Sequence, residues 1–286
     1  MNISVIVPTY NRAQLLARAL QSIVTQATPP MEVIVVDDGS NDGTEEVVCT
    51  RFPQVQYIRQ NNQGVSNTRN RGIEAARGDW LAFLDSDDEW LPQKLASQKE
   101  MLAANPQYKI CHTDEIWIRN GTRVNAMKKH TKAGGFIFER CLPLCVVSPS
   151  SVLIHRSVFD EVGLFNEDLP ACEDYDLWLR ICARFPVLYI HRPLIIKHGG
   201  HADQLSHRYP AMDRFRIIAL ENILQENLSA QYYRAALNML ITKIDIYLQG
   251  SIKRDKQEEI TKYRQKQRYY LNLREDSCHV TAVEVI

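Results

Sequence analysis

The sequence lacks a charge excess, a long apolar run and a signal-like start, and each absence excludes a class of protein. Its 34 Lys and Arg residues balance 34 Asp and Glu residues, whereas nucleic-acid-binding domains are usually basic. No apolar run approaches the roughly 18 residues of a transmembrane helix, and residues 1–11 lack the features of a secretory signal. We therefore expect a cytoplasmic protein without a nucleic-acid partner.

Cysteine usage gives no sign of a disulfide framework or a zinc cluster. The chain has seven cysteines, an odd number, and no Cys-x-x-Cys pair. Cys141 and Cys145 lie four positions apart, but no second pair has a matching spacing. This pattern favours free thiols in a reducing compartment over disulfides or a metal cluster.

Short apolar runs alternate with amphipathic segments over residues 1–105. The segments between the runs have helical spacing. The predicted strands are Ile3–Val7, Val33–Val36, Val55–Arg59 and Trp80–Leu84. Strands that are apolar throughout are typical of a parallel sheet covered on both faces. The pattern predicts a doubly wound α/β fold.

After residue 105 the predicted secondary-structure pattern changes twice. Residues 106–210 mix strand-like and helical segments, and the pattern is helical only from about Met212 onward. We therefore predict an α/β domain over residues 1–210, with halves at 1–105 and 106–210. A helical extension over residues 211–286 would follow it.

Three polar clusters follow predicted strands: Thr9–Arg12, Asp37-Asp38 and Asp85–Asp88. Ligands of open α/β sheets bind beyond the carboxyl ends of the strands. Neighbouring carboxylates in Asp85–Asp88 fit a divalent cation, or alternatively an acidic helix start. Asp37-Asp38 fits hydrogen bonds to a nucleoside, or alternatively a plain turn.

Six segments resemble, in the expected order, the motifs of family 2 glycosyltransferases. They are Ser4–Arg12, Val35–Ser40, Gly64–Gly78, Phe83–Asp88, Gly163–Phe165 and Glu173–Arg180. The resemblance covers about residues 1–206 and does not extend to the helical tail. It implies a GT-A fold, with a doubly wound, mostly parallel sheet and flanking helices, and a nucleotide-diphospho-sugar donor.

The resemblance also implies roles for single residues on the donor side. Asp38 would hold the base, usually uracil, and Asp85 would contact the ribose. Asp87 would bind a divalent metal, Mn²⁺ or Mg²⁺, and His201 matches a histidine that approaches the diphosphate or the metal. The other residues implied for the nucleotide pocket are Pro8, Thr9, Tyr10, Arg12, Arg69, Asn70 and Ser86.

On the acceptor side, the resemblance makes Asp174 the general base and places Glu173 and Trp178 beside it. The implied reaction is an inverting, metal-dependent transfer of a sugar, usually from a UDP-sugar, to a hydroxyl of a saccharide or a lipid-linked acceptor. Assembly of surface polysaccharide or another glycan is the implied pathway.

Three alternative functions remain open at this point. A nucleotide-sugar binding module without turnover would share the pocket. A nucleotidyltransferase would usually have a glycine-rich phosphate loop, and Pro8–Arg12 contains no glycine. An aspartyl phosphotransferase would place its Asp-x-Asp motif near the N-terminus, followed by Thr or Val, whereas Asp88 follows here.

Two further patterns also allow alternative interpretations. His191, His198, His201 and His207 lie within seventeen positions, but their loose spacing favours ordinary roles over a zinc site. Ser251–Tyr270 has seven positive and three negative residues with interleaved tyrosines. Such a helix fits peripheral contact with the inner face of a membrane, a solvated helix face, or the interface of a homodimer.

Overall fold

The computed structural model describes residues 1–125, 130–200 and 208–283, with side chains to residue 276. The strands in these ranges are β1 (Ile3–Thr9), β2 (Glu32–Asp37), β3 (Gln56–Arg59), β4 (Trp80–Phe83), β5 (Glu89–Trp90), β6 (Ile110–Arg119), β7 (Thr122–Val124), β8 (Leu153–His155) and β9 (Leu188–Gly199). The helices are α1 (Ala13–Val24), α2 (Thr44–Arg51), α3 (Val65–Ala75), α4 (Lys94–Ala104), α5 (Phe138–Cys141), α6 (Ser157–Val162), α7 (Glu173–Cys182), α8 (Asp213–Ile223), α9 (Ala230–Lys253) and α10 (Gln257–Val283).

These strands form one sheet in the order β3-β2-β1-β4-β8-β6-β9-β5, with β7 paired to β6. The first four are parallel, and β8 runs antiparallel to both β4 and β6. β6 and β9 are parallel. The predicted α/β class is confirmed, and β1 to β4 lie where apolar runs were found in the sequence.

The parallel half forms because its strands are covered on both faces. Every residue of β1 is buried, and the apolar stripe of α1 packs on one side, with Leu16, Leu20 and Ile23 all inaccessible to solvent. On the other side, α3 approaches β1 so closely that a Cβ on Gly72 would overlap Ile6. The glycine is therefore required by packing.

The strand directions bring several chain ends to one edge of the sheet. Two successive antiparallel pairings make β6, and with it β9, run in the direction of β1, β2 and β4. The carboxyl ends of these five strands consequently share an edge, as the polar clusters in the sequence predicted. The candidate site lies there.

The C-terminal helices share a core with the sheet domain. Phe215, Leu220, Leu240 and Ile244 belong to the same buried hydrophobic cluster as Trp178 of α7. That cluster extends to Ile6, Phe83 and other residues of the parallel strands. The boundary at residues 210/211 stays a prediction, and the described part of the tail has no core of its own.

The aromatic residues of the tail mostly face inward. Tyr263 is only 6% exposed, and the Tyr270 hydroxyl donates to Glu221 Oε1 at 3.0 Å. Lys266 forms an ion pair with the same carboxylate, whereas Tyr269 is exposed. Among the described helices, none combines the length and apolarity of a membrane span. Peripheral membrane contact and a homodimer stay predictions.

The cysteines agree with the preference for free thiols. The six cysteines whose side chains are described are all free. Cys141 Sγ and Cys182 Sγ lie 3.8 Å apart in the core without a disulfide bond. Cys141 and Cys182 act as small core side chains.

We predict that Leu240→Ala destabilises the whole chain in one transition. Leu240 is completely buried, and truncating a buried leucine typically costs about 2–5 kcal/mol. Urea unfolding followed by tryptophan fluorescence and far-UV circular dichroism should give coincident, shifted curves. Gln249→Ala, at an exposed position of the same helix, is the control. Separate transitions for the two signals would contradict a shared core.

Candidate active site

The turn after β2 is braced by Asp37. This carboxylate is fully buried, its Oδ1 accepts a hydrogen bond from Ser40 N at 2.8 Å, and the Tyr57 hydroxyl donates to its Oδ2. Burial, and then the neighbouring Asp37, raise the pKa of Tyr57, so the phenol stays a donor. Asp37 therefore holds the turn from which Asp38 projects.

Asp38 accepts hydrogen bonds from the loop after β3 and so holds that loop in place. Its Oδ1 accepts hydrogen bonds from Gln60 Nε2 at 2.8 Å and Gln63 N at 2.9 Å, and its Oδ2 accepts from Gly64 N at 2.9 Å. A carboxylate offers about four acceptor positions. Asp38 thus keeps capacity for a further donor, such as the edge of a base, and that contact stays a prediction.

The loop after β1 exposes two residues, Tyr10 and Asn11. Pro8 lies within β1 and Thr9 is 4% exposed, whereas Tyr10 is 43% exposed. Asn11 adopts a left-handed φ of 51° and its N–H donates to the Ser40 hydroxyl at 2.7 Å. The two loops are clamped together, and Tyr10 is the member of the predicted Pro8–Tyr10 set that a ligand can reach.

In the acidic loop, Asp85–Asp88, the side chain of Asp88 is buried and binds other parts of the protein. It is 2% exposed; its Oδ2 accepts from Ser150 Oγ at 2.6 Å and its Oδ1 from His198 N at 3.1 Å. Burial, with help from Asp87 and Asp85, raises its pKa well above the usual range. Asp88 therefore ties the acidic loop to β9 and faces the protein rather than a ligand.

Asp87, the predicted metal ligand, lies at the mouth of the site. Its Oδ2 is 3.0 Å from Arg12 Nη1, and the two side chains are 14% and 18% exposed. Its carbonyl oxygen accepts from Arg18 Nη2 at 2.8 Å, and the neighbouring Ser86 is buried. The described residues contain no group of three potential metal ligands. His201 lies outside the described ranges.

A single guanidinium joins the donor-side and acceptor-side motifs. Arg69 Nη2 donates to Asp85 Oδ1 at 2.7 Å, and Nη1 donates to Glu173 Oε1 at 2.6 Å. Arg69 is 4% exposed, and its guanidinium lies 5.1 Å from the Phe165 ring centre. The predicted nucleotide-pocket residue is thus used inside the protein, where it fixes two site carboxylates.

The same ion pairs set the protonation of both carboxyl groups. Burial opposes the ionisation of Asp85, but the Arg69 charge outweighs it and lowers the pKa of Asp85. At Glu173, burial and the neighbouring Asp174 outweigh Arg69, so the pKa of Glu173 is raised. Asp85 is therefore the more readily ionised of the two carboxyl groups.

Asn70 also differs from its predicted role. It is 4% exposed, its Nδ2 donates to Phe165 O at 2.9 Å and Glu167 Oε1 at 2.8 Å, and its Oδ1 accepts from Phe165 N at 3.0 Å. Both amide hydrogens are used, so Asn70 connects α3 to the segment before α7 instead of facing a nucleotide.

Asp174 lies in the first turn of α7. This helix belongs to residues 106–210, the predicted acceptor half, whereas residues 1–105 are the predicted nucleotide-binding or donor half. Cys172, just before the helix, has a left-handed φ of 63°, an uncommon conformation that surrounding structure must stabilise. Asp174 Oδ1 accepts from Tyr175 N at 2.7 Å, and Oδ2 accepts from Cys145 Sγ at 3.2 Å. The carboxylate is half-buried and oriented on both oxygens.

Trp178 does not lie on the acceptor surface that was predicted for it. Its side chain is 1% exposed and packs in the main hydrophobic cluster, because it is one turn further along α7 than the helix end that opens to the site. The acceptor-side assignment of Trp178 is therefore wrong for this conformation.

Three site residues escaped the sequence reasoning: Cys145, Ser150 and Lys197. Nothing in the sequence singles out Cys145 or Ser150, because each reaches the site through tertiary contacts. Lys197 does have a signal, since it directly follows the apolar run Leu194–Ile196 near the carboxyl end of β9. The acidic clusters were found by the same signal.

The histidines do not form a metal cluster within the described residues. His198 Nε2 lies 2.6 Å from Glu89 Oε1, while the exposed His191 stacks against Tyr189, with ring centres 4.2 Å apart. His207, like His201, lies outside the described ranges. For His191 and His198 the geometry agrees with ordinary polar roles.

With the geometry established, comparison with known proteins gives the family. Residues 4–163 match the family model described as glycosyl transferase family 2. The chain belongs to glycosyl transferase family 2. The family resemblance that the motifs predicted is thereby confirmed.

Curated family 2 relatives support this assignment. An uncharacterized glycosyltransferase of Rickettsia felis is 30% identical over 211 residues, which cover 71% of this chain and 35% of that protein. Another from Haemophilus influenzae is 28% identical over 195 residues, 67% of this chain and 66% of that protein. The chain therefore spans about a third of the length of the Rickettsia felis relative.

Solved structures agree on the fold. Residues 1–349 of S. aureus TarS in complex with UDP-GlcNAc superpose with a TM-score of 0.70 at 19% identity, covering 97% of this chain and 89% of that one. The corresponding UDP complex gives 0.65 at 20% identity, covering 86% and 72%. At this identity the comparison establishes the GT-A fold and C-terminal helices.

We predict that Arg69→Met destabilises the protein by about 3–5 kcal/mol, because removing one partner leaves buried carboxylates uncompensated. Urea unfolding at pH 7 would measure the loss. Adding Glu173→Gln to the variant should restore part of it, since one orphaned charge disappears.

The control for this prediction is Arg71→Met, at an exposed position of the same helix. This control should unfold within about 0.5 kcal/mol of the wild type. Equal losses of unfolding free energy at the two positions would show that the two ion pairs of Arg69 do not stabilise the protein measurably.

Proposed function

We propose that this glycosyltransferase transfers a sugar from a UDP-sugar to an acceptor hydroxyl, with inversion and with a divalent metal. The proposal rests on the contacts of the Arg69 guanidinium with two carboxylates. These contacts fix Asp85 of the donor-side motif and Glu173 of the acceptor-side motif to one guanidinium, at 2.7 and 2.6 Å. Donor and acceptor groups are thereby held in a single site, as a direct transfer requires.

The donor end of the site fits a uridine. Asp38 projects from a turn braced by buried groups and keeps acceptor capacity for the imide N–H of a uracil. Tyr10, 43% exposed at the same edge, offers a ring face to the base. The TarS structures hold UDP-GlcNAc in one complex and UDP in another, which supports a UDP-sugar as donor here.

The residues present also fit a metal that the donor itself helps to hold. Mg²⁺ and Mn²⁺ suit oxygen ligands, and such ions often take only one or two protein carboxylates, with substrate phosphates and water completing the shell. Asp87 supplies a carboxylate at the mouth of the site, and His201 is the second proposed ligand. The ion would neutralise charge on the departing diphosphate.

The acceptor side fits proton removal by Asp174. A hydroxyl is a poor nucleophile until a positioned base takes its proton. The carboxylate is half-buried and held by Tyr175 N and Cys145 Sγ, with acceptor positions left for a hydroxyl. Attack opposite the diphosphate inverts the anomeric carbon in one displacement and needs no protein nucleophile.

The acceptor is proposed to be a saccharide or a lipid-linked glycan, within surface polysaccharide assembly on the cytoplasmic side of the membrane. Family membership and the sheltered base support this assignment. Family membership also removes the nucleotidyltransferase and phosphotransferase alternatives. A module that binds nucleotide sugar without turnover remains the second candidate, because binding alone would use the same donor half.

We predict that Asp87→Ala removes the metal-dependent part of UDP binding. Calorimetry on the wild type should show that Mn²⁺ tightens UDP binding about tenfold or more, a gain of at least about 1.4 kcal/mol. The variant should show the same affinity with and without Mn²⁺, whereas Asp79→Ala, at an exposed position, should behave like the wild type. A preserved Mn²⁺ effect in Asp87→Ala would place the metal elsewhere.

We predict that Asp174→Asn lowers UDP release from UDP-sugars by about 10²–10⁴-fold, the range typical for loss of a general base. UDP affinity should change less than about twofold, since the variant keeps the shape of the side chain. Asp168→Asn, at an exposed position nearby, is the matched control. Unchanged turnover would favour a different base, and no turnover in the wild type with any donor would favour the binding module.

A further inference from the structure

Lys197 is a cationic residue at the site edge of the sheet, and the proposed mechanism does not use it. It lies near the carboxyl end of β9, in register with Trp117 of β6. Its ammonium is 5.8 Å from the Trp117 ring centre, and the residue is half-buried. The side chain is therefore at the site edge of the sheet without being sealed in the core.

Carboxylates surround this ammonium from several elements. Burial alone would lower the pKa of Lys197, but Glu115 of β6 and then Asp88 and Asp85 of the acidic loop raise it above its usual value. The Cys145 thiol is the fourth acidic group that faces it. Lys197 is consequently positively charged at any physiological pH.

These carboxylates attract Lys197 without binding it directly. No hydrogen bond and no ion pair within 4.0 Å joins its Nζ to any of the residues that the structure describes. By contrast, Glu115 pairs with Lys132 at 3.1 Å, and Asp85 pairs with Arg69 at 2.7 Å. An ammonium has three donors, so those of Lys197 are available to an anionic ligand.

The position of Lys197 indicates which part of the donor it meets. The base is assigned to Asp38, after β2, and Asp87 follows β4 further along the same edge. Lys197 lies beyond them on β9, and the 3.1 Å bond from His198 N to Asp88 holds this end of β9 against the acidic loop. A donor that runs from Asp38 past Asp87 reaches Lys197 with its distal phosphate.

We propose that Lys197 binds the diphosphate of a nucleoside diphosphate, at the phosphate farther from the base. The assignment rests on the proposed function, because it takes the base position from that proposal. Lys197 would thus be a phosphate-binding residue on the far side of the site from Tyr10, and its charge would act with or without a metal.

The test compares UDP with UMP, because only UDP carries the distal phosphate. Calorimetry in EDTA, and again with Mn²⁺, would measure both affinities for the wild type, Lys197→Met and Lys197→Arg. Lys109→Met is the matched control, since it removes one positive charge at a lysine that pairs with Glu161 on the surface, 42% exposed. Thermal melting of each variant reports any structural effect.

We expect Lys197→Met to weaken UDP binding about ten- to hundredfold, the range for a hydrogen bond to a charged group, and UMP binding less than about threefold. Lys197→Arg should keep most of the preference for UDP, and Lys109→Met should change neither affinity. These results would hold in EDTA as well as with Mn²⁺.

Three outcomes would overturn the assignment. Equal or absent changes for UDP and UMP in Lys197→Met, with a lowered melting temperature, would make Lys197 only a counter-ion for Asp88 and Glu115. Failure of the wild type to bind UDP or UMP would remove the donor site itself, and the assignment with it. If the wild type prefers UDP to UMP and Lys197→Met keeps the same preference, the phosphate-binding role of Lys197 is refuted while the proposed donor site stands.

Discussion

The arrangement of this site depends on one buried cation. Arg69 lies on a helix of the nucleotide-binding half, and its two carboxylate partners come from the end of a parallel strand and from a helix 104 positions later in the chain. Because a guanidinium donates in a planar fork, it fixes direction as well as distance. The acceptor half is thereby held in place by electrostatics from the donor half.

Other carboxylates of the site are also paired with cationic side chains of the protein. Arg12 pairs with Asp87 and Lys132 pairs with Glu115, so a site rich in carboxylates is compensated before any ligand arrives. A dianionic diphosphate entering such a site competes for these cations. Binding is then an exchange of ion pairs, which makes affinity sensitive to single charge changes.

The sequence was sufficient for the fold of the parallel half and for the edge that carries the site, because buried strands and the polar residues after them are local signals. The motifs also singled out Asp85 and Glu173, which the structure brings to one guanidinium. The sequence could not show that Arg69 binds Glu173 or that Asn70 binds Phe165, since these partners are 104 and 95 positions away. Trp178 was misplaced because the resemblance of its segment to a family motif does not tell which side chains of the helix are buried.

The C-terminal helices have a consequence for how this protein can be recombined with its relatives. Their buried faces complete the cluster that encloses α7, the helix that carries Glu173 and Asp174. A chimera that exchanges the tail alone would therefore mismatch side chains behind the base, even though no tail residue needs to touch a substrate. An exchange of these helices should therefore include α7, so that the side chains of the shared cluster stay matched.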